Sequence, residues 1–328
     1  MADNSALQTV ILRIEKSSIY DGDGLRTVVF LKGCNLCCRW CSTPESQDKC
    51  MEIGFDATRC ENCGSCIDVC PEQAIGHNSF GAVIIDKKRC KRCKRCHDIC
   101  PRQAFLSYGR LMSVDEVLAE VLKDDIFYYY SGGGITVSGG EPLLYADFVA
   151  ELLQRCRENG ISTAMETSFC LSWLQVKKVL PYLDTLFVDL KHSDSASHEY
   201  LTGLGNDLVL ANIMLADMAP QNFDIIVRLP LIPGLNDSED NLRQTAALCD
   251  SLKKLRGLQL LPYHRLGSAT YAKLGREYAL QYLSPPTEAY MAEKYELIRH
   301  YFPDLPLYTA VLNPTTSVGD DVLPGFKS

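Results

Sequence analysis

The chain has 328 residues, 46% of them apolar, and a formal net charge of −8. That length carries a prior of about two domains and enough apolar residue for a large core, and the acidic balance argues against nucleic acid as a general partner. No apolar run reaches the roughly 18 residues that a membrane span needs, and residues 1–5 have neither a basic region nor an apolar signal core, so a cytoplasmic protein is expected. Sixteen cysteines are too many to be idle. Disulfides do not persist in a reducing compartment, and the spacings are those of metal ligands.

Alternation at 10–14 predicts an opening strand, and Asp21-Gly22-Asp23-Gly24 predicts a turn. Asp21 and Arg26 read either as site residues or as a turn aspartate and a surface arginine. A strand over 27–31 leads into Gly33-Cys34-Asn35-Leu36-Cys37-Cys38-Arg39-Trp40-Cys41. Cys34, Cys38 and Cys41 are spaced C-x3-C-x2-C, and Cys37 also allows the register C-x2-C-x3-C. Three thiolates this close suit a cubane iron–sulfur cluster, each holding one iron, which leaves one iron free of protein. An open coordination position marks a catalytic metal rather than a structural one, by the logic of zinc sites. A zinc site completed from elsewhere is the alternative.

Between 49 and about 107 the helix–strand rhythm gives way to a cysteine-rich block. Cys60-x2-Cys63-x2-Cys66-x3-Cys70-Pro71 recurs as Cys90-x2-Cys93-x2-Cys96-x3-Cys100-Pro101, an offset of 30 residues (90 minus 60). This matches the bacterial ferredoxin run, whose fourth cysteine crosses to the other cluster. Cys60, Cys63, Cys66 and Cys100 are then one ligand set, and Cys90, Cys93, Cys96 and Cys70 the other. Lys87, Lys88, Arg89, Lys91, Arg92, Lys94 and Arg95 crowd the second run. Such a cluster can be a nucleic-acid patch. The preferred reading is electrostatic: it raises that cluster's potential and draws an acidic electron donor such as a flavodoxin or ferredoxin.

Beyond 111 the rhythm resumes. Ser113-Val114-Asp115-Glu116 is a capping box for a helix through about 123. Strands fit 134–138, 162–166, 185–190, 224–229 and 258–261, and helices fit 145–159, 171–179, 206–218, 238–255 and 288–300. With 27–31 this makes six strands alternating with helices, a parallel α/β array. Functional groups in such arrays gather at the C-terminal strand ends. There lie Gly139-Gly140-Glu141, Glu166-Thr167 and Asp189-Leu190-Lys191, the last placing Asp189 and Lys191 on one face through the period of two. A buried salt bridge is the alternative for that pair. Cys50 has no motif, and Cys156, Cys170 and Cys249 read as small buried hydrophobes.

The C-x3-C-x2-C loop after a first strand, with an aromatic residue before its last cysteine, resembles the radical S-adenosylmethionine (SAM) superfamily. The wider string Asp21-Gly22-Asp23-Gly24-Leu25-Arg26-Thr27, the cysteine loop and Pro44-Glu45-Ser46 resemble the glycyl-radical-enzyme activating enzymes, although the family carries proline where this chain has Asp23. The resemblance runs from about 11 to 264 and beyond. It implies an α/β fold: an incomplete (β/α)6 radical-SAM barrel with an inserted bacterial-type 2[4Fe-4S] ferredoxin domain. Residues 1–48 would start the barrel, 49–108 form the insert, 109–312 complete the barrel and 313–328 form an irregular tail.

The cofactors implied are SAM and three [4Fe-4S] clusters, one SAM-binding and two auxiliary. The open iron at Cys34, Cys38 and Cys41 would chelate the SAM amino and carboxylate groups. One electron would then release a 5′-deoxyadenosyl radical, which abstracts hydrogen from a glycine Cα of a partner glycyl radical enzyme. Gly139, Gly140 and Glu141 match the motif that binds the SAM amino group. Asp189, Leu190 and Lys191 match the one at its ribose and carboxylate, and Lys191 is carried as catalytic too. Arg228 matches the arginine beside the sulfonium, His264 a histidine near the adenosyl group, and Trp40 and Ser42 the adenine contacts. Thr167, with Glu166 and Asp189, resembles positions that hold a monovalent cation in some members. The rivals are a radical-SAM enzyme acting on a small molecule or another peptide, and an electron-transfer polyferredoxin. Oxygen-sensitive clusters fit an anaerobic setting.

Overall fold

The computed structural model describes residues 7–308, so the irregular tail expected at 313–328 lies outside the described residues. The chain opens with β1 (Gln8–Ser18), antiparallel to β2 (Arg26–Leu31). The cysteine-rich insert follows, with β3 (Glu52–Phe55), β4 (Ile75–His77), β5 (Val83–Ile85) and β6 (Phe105–Tyr108), and two short helices, α1 (Ser65–Asp68) and α2 (Arg95–Ile99). Then come β7 (Arg110–Ser113), α3 (Val114–Val121), α4 (Asp125–Ser131), β8 (Gly134–Gly139), α5 (Ala146–Glu158), β9 (Ser162–Thr167), α6 (Trp173–Val179) and β10 (Thr185–Asp189). The chain continues through α7 (Ser195–Thr202), α8 (Asp207–Met218), β11 (Asp224–Leu231), α9 (Glu239–Asp250), β12 (Leu255–Pro262), α10 (Ser268–Lys273), α11 (Glu288–Tyr301) and β13 (Leu307–Tyr308).

A nine-stranded sheet takes the order β13-β12-β11-β10-β9-β8-β2-β1-β7. Its centre is the expected set of six parallel strands, β2, β8, β9, β10, β11 and β12, each beside its successor in the chain. Parallel neighbours need crossover connections, which the helices supply. Sequence reading missed β7 and β13, short strands that extend the two edges. The helix expected over 238–255 stops at Asp250. The Lys254 N–H donates to the Asp217 carboxylate at 2.8 Å, and its ammonium caps carbonyls at the end of α8, so the chain turns there into β12. Among the described residues no helix is long and apolar enough to cross a membrane.

The period of two sorts the strand side chains between the sheet's faces. Val29, Leu31, Val137, Met165, Leu186, Val188, Val227 and Leu229 join Val117, Leu152, Leu153 and Leu242 of the helices in one fully buried core. The other face carries a small apolar group, Ala164, Phe187 and Ile226. Two residues further along the same strands stand Glu166, Asp189 and Arg228. The sheet thus presents its charges on the face away from the helix core, at the C-terminal strand ends.

The insert leaves and rejoins the sheet through β3 and β6, which pair antiparallel from Glu52↔Tyr108 to Phe55↔Phe105. The repeat seen in the sequence recurs in the backbone. Positive φ angles fall at Asn62 and Arg92, Gly64 and Lys94, and Gln73 and Gln103, each pair 30 apart. The insert core is small: Ile53, Ile75, Val83 and Phe105, with Cys66 and Cys96. A buried polar cluster fastens it to the sheet. Lys32, fully buried, donates to the Glu45 carbonyl and pairs with Glu52 at 3.3 Å. Arg276 reaches Glu52 at 2.6 Å and the Pro44 carbonyl at 2.5 Å, and Lys273 pairs with Asp56 at 3.1 Å. Removing one partner of the Lys32–Glu52 pair, buried on both sides, costs about 3–5 kcal/mol.

Candidate functional site

The cysteine loop begins where β2 ends. Gly33 N–H donates to Ser46 O at 2.6 Å and Cys34 N–H to Gln47 O at 3.1 Å, so the returning chain holds one side. On the other side Cys37 and Arg39 N–H donate to Thr202 and Leu201 carbonyls of α7, at 2.7 and 3.1 Å. Cys37 is exposed and its thiol faces the Thr202 carbonyl at 3.4 Å, away from its neighbours. Cys34, Cys38 and Cys41 turn inward and act on one another electrostatically. Burial, with the Glu141 charge, pushes the Cys34 thiol up to about 12, and burial also raises Cys38 and Cys41. The Lys191 ammonium opposes that rise at all three. Three converging thiols beside one fixed cation fit a metal cluster that binds them as thiolates.

Gly139 and Gly140 are required by the packing of this loop. A Cβ on Gly140 would lie 2.0 Å from the Gly33 carbonyl oxygen, and Gly139, at φ +116°, abuts Leu31. Gly140 N–H donates to Leu31 O and Glu141 N–H to Gly33 O, at 2.9 and 2.7 Å. The Glu141 carboxylate points into the protein and is fully buried. It accepts from Leu143 N–H (3.0 Å), Thr167 Oγ1 (2.7 Å), Ser168 N–H (2.8 Å) and Ser168 Oγ (2.6 Å). Burial raises its pKa against the pull of those donors. With the carboxylate so engaged, the motif offers a ligand its main chain.

Next to the loop, β9, β10 and β11 converge on Arg228. Its guanidinium reaches Glu166 at 2.6 Å and Asp189 at 3.2 Å, and lies over the Phe187 ring at 5.0 Å. Lys191 pairs with Asp189 at 2.8 Å, and Ser138 Oγ donates to Glu166 at 2.6 Å. Burial alone would destabilise the Lys191 charge, but Asp189 and the Cys38 thiol raise its pKa. Burial would likewise raise Asp189, yet Lys191 and Arg228 hold it below the usual carboxylate range. Asp21 joins this group: burial and Glu166 lift its carboxyl to about 6, against Ser18 and Arg228. The pair Asp189–Lys191 is the expected same-face pair; the three-strand bridge through Arg228 was not foreseen. Thr167 donates to Glu141, and Glu166 and Asp189 share a guanidinium, so these three do not face a common open point.

The other expected site residues divide. Trp40 packs with Tyr263, Tyr271, Tyr278, Leu201 and Ile232 against Cys38 and Cys41. Ser42 is exposed beside the loop, and Leu190 lies in the main core. His264 stands on the exposed rim after β12, and partial burial lowers its pKa. Arg26 is a correction to the surface alternative. It is buried at the N-terminal end of β2, donating to Thr136 Oγ1 (3.0 Å) and Ser162 Oγ (3.2 Å), at the far end of the strands from the cysteines. Cys156, Cys170 and Cys249 are buried as expected, and Cys50 is exposed.

Among the described residues no three His, Cys, Asp or Glu side chains are arranged about a single ion. The eight insert cysteines ring two cavities instead. One, of about 20 Å³, is lined by Cys60, Cys63, Cys66 and Cys100 with Val83 and Phe105. The other, also of about 20 Å³, is lined by Cys70, Cys90, Cys93 and Cys96 with Ile53, Ile75 and Ile85. Cysteine sulfurs accept in-loop N–H groups, from Asn62 to Cys60 (3.3 Å), Arg92 to Cys90 (3.4 Å), Ala74 to Cys70 (3.3 Å) and Ala104 to Cys100 (3.4 Å). Sulfurs already receiving N–H bonds suit a cluster, whose potential such bonds help to set.

Residues 28–246 match the family model described as the Radical SAM superfamily. The chain is 41% identical over 284 residues to the (2S)-3-sulfopropanediol dehydratase activating enzyme of Klebsiella oxytoca, covering 85% of this chain and 89% of that protein. It is 41% identical over 272 residues to the isethionate sulfite-lyase activating enzyme of Nitratidesulfovibrio vulgaris, covering 82% and 88%. The choline trimethylamine-lyase activating enzyme of Oleidesulfovibrio alaskensis is 38% identical over 279 residues, covering 84% and 89%.

Proposed function

We propose the following from the premise that the chain belongs to the radical SAM superfamily and, within it, to the activating enzymes of glycyl radical enzymes. It makes a glycyl radical in a partner protein. The observation that carries this reading is the loop of Cys34, Cys38 and Cys41 beside the buried Lys191–Asp189–Arg228 cluster at the same strand ends. The sheet is read as an incomplete (β/α)6 barrel, and residues 49–108 as a bacterial-type ferredoxin domain with two [4Fe-4S] clusters.

Cys34, Cys38 and Cys41 would hold a [4Fe-4S] cluster with one iron open to SAM, and the insert cysteines the other two clusters. Held by these cysteines, the cluster and SAM together would supply one-electron cleavage of the sulfonium C–S bond and the removal of a hydrogen atom from the partner's glycine Cα. The chain's own residues orient and enclose. Lys191 and Arg228 offer fixed positive charge to the SAM carboxylate, and Asp189 accepts from its ribose. Carbonyls of Gly139 and Gly140 take its ammonium, since the Glu141 side chain is engaged elsewhere. The packed group around Trp40 keeps water from one side of the loop. A small electron donor, a flavodoxin or ferredoxin, would supply the insert.

The test is anaerobic incubation of the iron-loaded protein with SAM, a low-potential reductant and a glycyl radical enzyme encoded beside it. The expected result is the electron paramagnetic resonance doublet of a glycyl radical. SAM cleavage with no doublet on any such partner would favour a different substrate.

A further inference from the structure

The two halves of the insert look alike in sequence, yet they meet the sheet differently. At the sheet end of the β3–β6 ribbon stands Glu52, fastened to Lys32 and Arg276. The next residue, Ile53, lines the cavity of Cys70, Cys90, Cys93 and Cys96. The other cavity meets the ribbon at Phe105, which pairs with Phe55 at its far end. Lys87, just before Cys90, donates to the Ile53 carbonyl. Arg92, two residues beyond Cys90, pairs with Asp48 at 3.2 Å. Asp48 adjoins Gln47, whose carbonyl accepts from Cys34 N–H at 3.1 Å. A continuous chain of contacts therefore runs from Cys90 Sγ through Arg92 N–H (3.4 Å) and its guanidinium to Asp48, Gln47 and Cys34. On the other half, Glu61 is taken up by Arg102, within the insert itself.

Charge is unequal too. Lys91, Lys94 and Arg95, against Glu72, line the cavity of the Cys90 set, whereas Glu61 and Arg102 cancel at the other. Positive charge stabilises the reduced form of a cluster, and net charge is one of the determinants of its potential.

We infer that the Cys70–Cys90–Cys93–Cys96 site is the inner station of the electron relay and the Cys60–Cys63–Cys66–Cys100 site the outer one, with Arg92 and Asp48 forming the seam to Cys34. This rests on the ligand sets proposed above. One electron moves from the protein donor to the outer site, to the inner site, and on to the cysteine loop; no bond to the protein breaks and no proton is carried. Arg92 and Asp48 are positioning residues. Half exposed, they add little to stability and instead fix the approach of the two loops.

The test compares Cys93→Ala with Cys63→Ala in the iron-loaded, dithionite-reduced protein without SAM, by iron analysis and electron paramagnetic resonance. Each variant should lose about four irons per chain; if neither does, the ligand sets themselves are wrong. Cys93→Ala should abolish the spin-coupling broadening on the signal of the Cys34 loop, and Cys63→Ala should keep it. The reverse pattern, or equal loss in both, overturns the order. Should either variant fail to load any cluster, Arg92→Gln and Asp48→Asn decide. With photoreduced flavodoxin as donor and freeze-quench detection, both should delay the loop's signal while leaving the insert signals prompt. Arg92→Lys should restore much of the rate. An undelayed loop signal in both variants overturns the seam.

Discussion

The two cysteine systems differ in what holds them. The Cys34–Cys38–Cys41 loop hangs from a sheet with a large apolar core, into which its own Leu36 packs. Its backbone is pinned on both sides, and Glu141 locks the next strand end beneath it with four accepted hydrogen bonds. The insert has a core of four apolar side chains plus two of its own cysteines, while Cys63 and Cys93 are exposed. So small a core rarely suffices alone, and natural domains of this size add metal or disulfides. The lesson is a division of labour: the sheet builds its site on a large apolar core, whereas the insert, on the ligand sets proposed above, would take its order from metal.

The largest effect is expected at the rigid end. Cys34→Ala, Cys38→Ala or Cys41→Ala should bring SAM cleavage by dithionite-reduced protein below detection, measured as 5′-deoxyadenosine released. Cys37→Ala should retain it, because that thiol is turned to Thr202. Retained cleavage in any of the first three, or loss in the fourth, would reassign the register. The second effect separates the two systems directly. Chelating iron from the anaerobic protein should strip amide-exchange protection from 52–108 while β8 to β12 stay protected. Equal loss in both regions, or loss in neither, would break the comparison.

How far the sequence carried depends on the range of the interaction. The six parallel strands were legible because apolar runs, glycine stops and capping residues are local signals. The insert's repeat was legible because cysteine spacing is local too, and the backbone repeats it down to the positive φ angles. Asp189 and Lys191 could be paired from the period of two alone. Arg228 could not be joined to Glu166, 62 residues away, without the strand register that brings both to one face. The Glu52–Arg276 contact spans 224 residues and left no trace in composition or spacing. Glu141 looked like a ligand group, and only the structure shows that Thr167 and Ser168 claim its carboxylate. The helical pattern runs on to 255 in the sequence because nothing local announces that Lys254 caps another helix.

The smallest effect, and the most informative about the rigid end, is one of pH. The buried face collects three carboxyls, Asp21, Glu166 and Asp189, against two cations, Lys191 and Arg228, so one carboxyl carries the excess. Burial and the Glu166 charge lift Asp21 from 3.8 to about 6, despite Ser18 and Arg228. Between those values the folded chain holds a proton that the unfolded chain has released. That contribution to stability is therefore full below about pH 3.8 and is lost as pH rises through about 6. Asp21→Asn keeps a neutral side chain throughout. Its stability relative to the parent should climb between pH 5 and pH 7.5, by less than about 3 kcal/mol for a shift of this size, read from urea midpoints under argon. A difference that stays constant with pH would mean that Asp21 ionises freely.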